Sequence, residues 1–400
     1  MNTQTDVTKN YRYFLQLMQS VLNNTEAKAP AEDVNFEAIY EIALKHSLAG
    51  MLYFAIEKLP QAQRPQGEFM PYLAQMYREQ IVTDLNVSLE ADRMLNVLSS
   101  KGIRCLPLKG IITKKDYPVE HLRTMVDVDI LCDFENRPEI EKIFIENGYT
   151  KETITEKDTG FRKDEILHFE MHHSLLSTDS PAYDYFLGIW DRVEYTDGTK
   201  VARMSLEDTY IFMLEHLADH LVYGGAGIRM YMDVYMFLKK HSEALKRDYV
   251  AEILGKIGLL EFEKQTVKIC NNWFSGNEEI DLQSSWAEFI FDSATFGRTK
   301  ISFLSDTLRN DGGSSATVNG LRRILRKLFP KLSWMKLRFR AVQKLPLLYV
   351  VFVPVHWFDR LIVKRNVETK NIGGYFVTAS SDEAVELKNT FISLGLKGRI

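Results

Sequence analysis

Cysteine is scarce in this sequence and net charge is small. Cys105, Cys132 and Cys270 are scattered through 400 residues, giving neither a disulfide framework nor a zinc spacing, and they suit a reducing, cytoplasmic setting. The formal net charge of −4 argues against wholesale attraction to nucleic acid. The opening MNTQTDVTKNYRYF lacks a basic region followed by an apolar run, so no signal peptide is expected. A Walker-type glycine loop is absent, and no Cys-His or Ser-His pair stands out as a nucleophile. His216 and His220 are four apart, but Leu217 follows the first where a zinc protease needs Glu.

Long hydrophobic runs are missing too. Leu345 to Phe358, LPLLYVVFVPVHWF, holds fourteen residues without an acidic or fully basic side chain, yet it contains Pro346 and Pro354. A membrane-spanning helix needs about 20 apolar residues, so the segment reads as a buried helix pair or packed loop, or else as a surface-lying membrane contact. The stretch before it, Arg322 to Lys344, carries nine Lys/Arg and no acid. Such a stretch forms a solvated helix face, or it meets RNA or anionic lipid.

What is present is an alternation of patterns. FEAIYEIALKHSLAGMLYFAIEK, residues 36 to 58, and residues 72 to 100 carry apolar residues at helical spacing, the second closed by Lys101-Gly102. IRCLPL then reads as a short strand, and IITKKDYP as a helical stretch stopped by Pro118. MVDVDILCDF alternates as a strand, RPEIEKIFIENGY is a helix ended by Gly148, and EILHFEMHHSLL is another strand. The polar run near Lys151 to Gly160 suits a hairpin or loop. A helix starts at Ser205-Leu206-Glu207-Asp208, and a second covers IRMYMDVYMFLKKH. Further helices fill 247 to 308, DTLRNDGGSSATVNG is a linker, and a last helix runs from about Ser381 to Leu394. The expected division is 1–97 N-terminal helices, 98–200 an α/β core, 201–305 a helical domain, and 306–400 a basic linker and helical extension.

The chemistry concentrates in the core. Side chains in a strand alternate faces, so Asp127 and Asp129 point one way, while Val126, Val128, Ile130 and Cys132 point to a core. Adjacent carboxylates repel, and a divalent metal resolves that cost, since Mg²⁺ takes one or two carboxylates plus substrate phosphates. A bare D-x-D also suits the polar outer face of an edge strand. The context adds to the metal reading: Lys109-Gly110 ends one strand and opens a helix, a setting that suits phosphate, and Arg123 precedes the acids. On the later strand His168, Glu170 and His172 share one face and Leu167, Phe169 and Met171 the other. Paired beside the first strand, Glu170 converges on Asp127 and Asp129, a carboxylate set suited to two-metal phosphoryl or nucleotidyl transfer.

These residues resemble a known family. LPLKG-x₁₂-R-x₃-DVDIL, with an acid-Met-His on a later strand, is similar to the nucleotidyltransferase superfamily. More narrowly it resembles the bacterial family of uncharacterised, predicted nucleotidyltransferases, with a Lys-Gly followed by Arg-x-x-x-Asp-h-Asp. The likeness extends over roughly residues 35 to 365. It implies an α+β fold: a small mixed-sheet nucleotidyltransferase core of the DNA polymerase beta type, flanked by N-terminal helices and a larger C-terminal helical region. It implies Mg²⁺ or Mn²⁺ on Asp127 and Asp129, Glu170 as third carboxylate, and Lys109 and Gly110 at the triphosphate. In the wider superfamily Gly-Ser stands where this chain has Lys109-Gly110. Val126 replaces a commonly small residue, and Glu170 stands where Asp is common.

The expected activity moves a nucleoside monophosphate from an NTP, with ATP the expected one, to an unidentified acceptor hydroxyl, releasing pyrophosphate. Lys109 and Arg123 would neutralise the triphosphate. The other reading is a non-catalytic nucleotide- or partner-binding member of the same fold, antitoxin-like. His216 and His220 share a helix face, and Arg229 and Asp233 on the next helix are spaced to pair. These four, with His172, either join the helices as a buried polar network or form a cleft wall holding nucleotide or acceptor.

Overall fold

The computed structural model of the chain describes residues 3–154, 157–293, 329, 332, 335, 339–358 and 381–400. It begins with three helices, α1 (Thr3–Leu22), α2 (Phe36–Lys45) and α3 (Ala49–Glu57). Asn35 caps α2, its side chain accepting the N–H groups of Glu37 and Ala38. The single helical pattern over 36 to 58 is thus broken at 46–48. Ser47 takes φ 55° there, and the buried His46 ring lies 3.1 Å from the Phe291 carbonyl. Periodicity detects the apolar face that both helices share, whereas a long-range contact decides the turn. α4 (Phe69–Ser100) ends where the glycine signal predicts, with Gly102 at φ 77°.

The sheet follows. β1 (Cys105–Pro107) leads through the short α5 (Gly110–Thr113) to β2 (Val128–Cys132). After α6 (Arg137–Glu146) come β3 (Thr150–Ile154), β4 (Asp158–Arg162) and β5 (His168–His172). The order is β1-β2-β5-β4-β3, with β2 and β5 parallel and the other pairs antiparallel. The polar run near 151 to 160 is therefore a hairpin. The alternation in β2 and β5 sorts side chains as the pattern predicts. Val128, Ile130, Cys132, Phe169 and Met171 are buried against Met94, Leu98 and Phe144 of α4 and α6. Val126 departs from this. β2 starts at Val128, so alternation does not reach back to residue 126, which is 53% exposed rather than in the core.

The opposite face of the sheet carries Asp129 and meets a second, larger core. Leu106 and Leu131 join it, together with α1, α2 and α3 and the helices that follow the sheet. After α7 (Tyr183–Leu187) and a small ribbon, β6 (Glu194–Tyr195) and β7 (Ala202–Arg203), come α8 (Leu206–Tyr223) and α9 (Ile228–His241). Ser205 caps α8 by accepting the Asp208 N–H at 3.0 Å. α10 (Arg247–Lys256), α11 (Leu260–Phe274) and α12 (Ser285–Ser293) close the bundle around Trp273 and Phe274.

The predicted linker at 306–320 lies outside the described residues, as does most of the basic stretch 322–344. A helix at Ser381–Ser393 matches the predicted last helix. The apolar segment 345–358 contains a helix, Tyr349–Phe358, with Pro354 inside it. It is not wholly buried as expected: Leu347, Val350 and Val351 are 83%, 75% and 61% exposed. Among the described residues of this helix, Val353 is buried in a small core with Met335 and Val342. Among the described residues no helix is long and apolar enough to cross a membrane.

Candidate active site

A cavity of about 340 Å³ opens between the polar face of the sheet and helices α8 and α9. Its sheet side holds Lys109, Gly110, Asp127, Asp129 and Glu170, and its helical side holds His216, His220, Arg229 and Asp233. Residues from distant parts of the chain meet here because β2 and β5 are neighbours in register, with Asp129 opposite Glu170. Asp127 sits just before β2. Oxygen and nitrogen atoms of Asp127, His168 and Glu170 lie within 4.8 Å of one another, as do those of Asp129, Glu170 and His172. His172 does not line the cavity; it lies behind Asp129, its Nε2 2.7 Å from Asp129 Oδ1.

Electrostatics separate the three acids. Burial, then the charges of Asp127 and Asp129, push the Glu170 carboxyl up to about 8. Burial and Asp129 likewise raise Asp127. Burial opposes ionisation of Asp129 too, but Lys109 and the His172 hydrogen bond outweigh it and hold that carboxyl low. Lys109 Nζ donates to Asp129 Oδ1 at 2.8 Å. Burial disfavours the ammonium, yet Asp129, Asp127 and Glu170 together keep its pKa raised. The set is oxygen-rich, short of positive charge and mutually repulsive, which fits a hard divalent cation. A cation bound at Asp129 would compete with Lys109 and release its ammonium toward the cavity.

The Lys-Gly pair works differently from the sequence expectation. The left-handed backbone belongs to Lys109, at φ 49°, and not to the glycine. A non-glycine residue held there is strained by about 1–3 kcal/mol, a cost seen where a site constrains the chain. Gly110 is small for a packing reason: an added Cβ would collide with the Arg123 guanidinium and stand 2.9 Å from Met125 Cγ.

Arg123 lines the cavity but is held at its wall, already bonded rather than free. Its Nη2 donates to Asp233 Oδ2 at 2.8 Å and its Nε to Oδ1 at 3.2 Å. The Tyr117 hydroxyl donates to the same Oδ1 at 2.7 Å. Asp233 thus takes Arg123, where helix spacing predicted Arg229. Arg229 instead donates to the Thr124 carbonyl at 3.0 Å and hydroxyl at 2.9 Å. Burial, with Arg123 beside it, brings the Arg229 pKa down to about 10. These bonds fasten the segment leading to Asp127 onto α9.

His216 and His220 face the cavity with ring centroids 4.4 Å apart. Burial, with Lys109 nearby, holds His216 well below the usual imidazole range and brings His220 down to about 4. Both rings are therefore neutral near neutral pH. Sequence reasoning missed Tyr117, because a tyrosine before Pro118 carries no motif. It also missed Phe212, Met213 and Met230, which line the cavity while looking like core at helical spacing.

A family model described as an uncharacterised nucleotidyltransferase matches residues 32–275. That span includes every cavity residue named above. No curated protein and no solved structure matches the chain.

Proposed function

The chain belongs to the family of uncharacterised nucleotidyltransferases, and from that premise we propose that it moves a nucleoside monophosphate from an NTP to an acceptor hydroxyl, releasing pyrophosphate. The observation that carries the reading is that Asp127 and Asp129 each meet Glu170, beside Lys109, in the lining of one cavity. Asp127, Asp129 and Glu170 would hold one or two Mg²⁺ or Mn²⁺ ions, with His168 and His172 at the edge of the cluster. A bound divalent ion supplies charge neutralisation on the phosphates and makes the acceptor oxygen a better nucleophile.

The chain's own groups have distinct tasks. Lys109, displaced from Asp129, turns its ammonium to the triphosphate. Arg123, held by Asp233, contributes as a fixed positive field and as a strap, and Arg229 presents a second buried cation to the cavity. The acceptor oxygen forms a bond to the α-phosphorus as the bond to the leaving pyrophosphate breaks, and Glu170, once its own proton is expelled, serves as ligand to the ion or as base for the hydroxyl proton. Alignment inside the cavity supplies much of the rate.

The test is thermal stability and calorimetry with each NTP plus Mg²⁺ or Mn²⁺, followed by pyrophosphate release against a panel of acceptors. Metal-dependent NTP binding with pyrophosphate release supports the proposal. Indifference to every NTP with either metal overturns it, and binding without release across the panel favours a non-catalytic member of the fold.

A further inference from the structure

We infer that the end of the cavity away from the carboxylates receives the nucleobase of the NTP and selects it by size and apolar contact, not by reading its hydrogen-bonding edge. This rests on the nucleotidyl-transfer reading of the site. The direction of the cavity follows from α8. His216 and His220, in the C-terminal half of that helix, line the cavity together with Lys109 and Asp129 and feel their charges, which marks the phosphate side. Thr209, Phe212 and Met213 line the same cavity toward the N-terminal half. From residue 220 back to residue 209 the helix rises about 16 Å, at 1.5 Å per residue. Besides its ionic groups, the cavity lining therefore offers carbon and sulfur from Met204, Phe212, Met213, Met230 and Val234, bordered by Arg203, Arg229 and Asp233.

Most polar side chains beside that wall already make hydrogen bonds. The Thr209 hydroxyl donates to the Ser205 carbonyl at 2.8 Å. Asp233 accepts from Arg123 and Tyr117, and Arg229 donates to Thr124. Arg203 is bonded to Glu194. An apolar wall of this kind gains from contact area with a flat base, and methionine and phenylalanine suit its face. Such a wall discriminates weakly, because a pocket without hydrogen-bonding groups rejects a near-isostere by only about a hundredfold, against about 10⁴ or more where polar groups would be left unpaired.

The experiment is calorimetry on the full chain with Mg²⁺ and four probes: ATP, GTP, UTP and inorganic tripolyphosphate. ATP and GTP should each bind at least about tenfold more tightly than tripolyphosphate, lie within about a hundredfold of each other, and exceed UTP, which offers less area. The double variant Met213→Ala/Met230→Ala should lose about tenfold toward ATP while keeping its affinity for tripolyphosphate. Met213→Leu, which conserves volume, should retain both. The inference is overturned if ATP binds no better than tripolyphosphate, which would give the apolar end to the acceptor. It is also overturned if ATP and GTP differ by more than a hundredfold, or if the double variant binds ATP as the wild type does. If the wild type binds neither tripolyphosphate nor any NTP, the phosphate end fails and the reading of the whole site falls with it. That outcome is seen on the unaltered chain and is distinct from the others. Should the double variant fail to fold, Met230→Ala alone carries the same comparison.

Discussion

Two acidic clusters border one cavity, and they are opposites. Asp233 sits in a satisfied network: bidentate Arg123, the Tyr117 hydroxyl, and Arg229 bonded nearby to Thr124. Asp127, Asp129 and Glu170 share a single lysine, and burial with mutual repulsion raises two of the three carboxyls. A satisfied buried network rigidifies a fold. A repulsive cluster costs stability unless a bound cation offsets it, so the contrast sets a bonded acid against acids suited to a ligand. The two are linked physically, because Arg123 and Thr124 lie on the segment that delivers Asp127.

The contrast is sharpest under substitution. Asp127→Asn should reduce metal-dependent transfer by about 10³-fold or more, while the ligand-free melting temperature holds or rises because a repulsive charge is gone. Pyrophosphate release and a thermal melt read the two effects on one sample, and a stability loss would put Asp127 in the structural class. Asp233→Asn should do the reverse in its first effect. It leaves the buried Arg123 guanidinium without its carboxylate and should cost about 3–5 kcal/mol in chemical denaturation. Gly110→Ala tests the join between the clusters. Its methyl displaces Arg123 and Met125, at about 1–3 kcal/mol, and metal affinity should weaken as Asp127 moves.

The smallest effect is in pH. Glu170 has its folded pKa raised from 4.5 to about 8, so the folded chain keeps a proton that the unfolded chain releases. Its contribution to ligand-free stability is therefore present below pH 4.5 and lost as pH rises through about 8. Metal binding must expel that proton. Mg²⁺ or Mn²⁺ affinity should rise by up to about tenfold per pH unit below that pKa and level off above it. Glu170→Gln should flatten the stability profile in that window. A wild-type metal affinity that ignores pH below about 8 would show that Glu170 does not exchange its proton for the ion.

Much of the fold and part of the site were legible in the sequence for identifiable reasons. The apolar alternation of β5 aimed Glu170 away from Leu167, Phe169 and Met171, because a strand permits nothing else. Ser205 and Gly102 marked helix ends because caps are local chemistry. The break at 46–48, the end of alternation before Val128, and the exposure of Leu347 and Val350 were not legible. Each depends on what a segment meets elsewhere in the fold. The exchange of partners around Asp233 belongs with these. Four-residue spacing proposes Arg229, while the folded chain brings Arg123 in from 110 residues away.

Local patterning therefore determined the element types, the inward and outward faces of the strands, and the identity of the acids, since these depend on neighbours one to four residues apart. The tertiary structure alone decided that Asp129 stands opposite Glu170, that Lys109 rather than Gly110 carries the strained backbone, and that Arg123 is bound and not free. Those outcomes are set by strand order and by burial, which take their energy from contacts between residues that the chain keeps far apart.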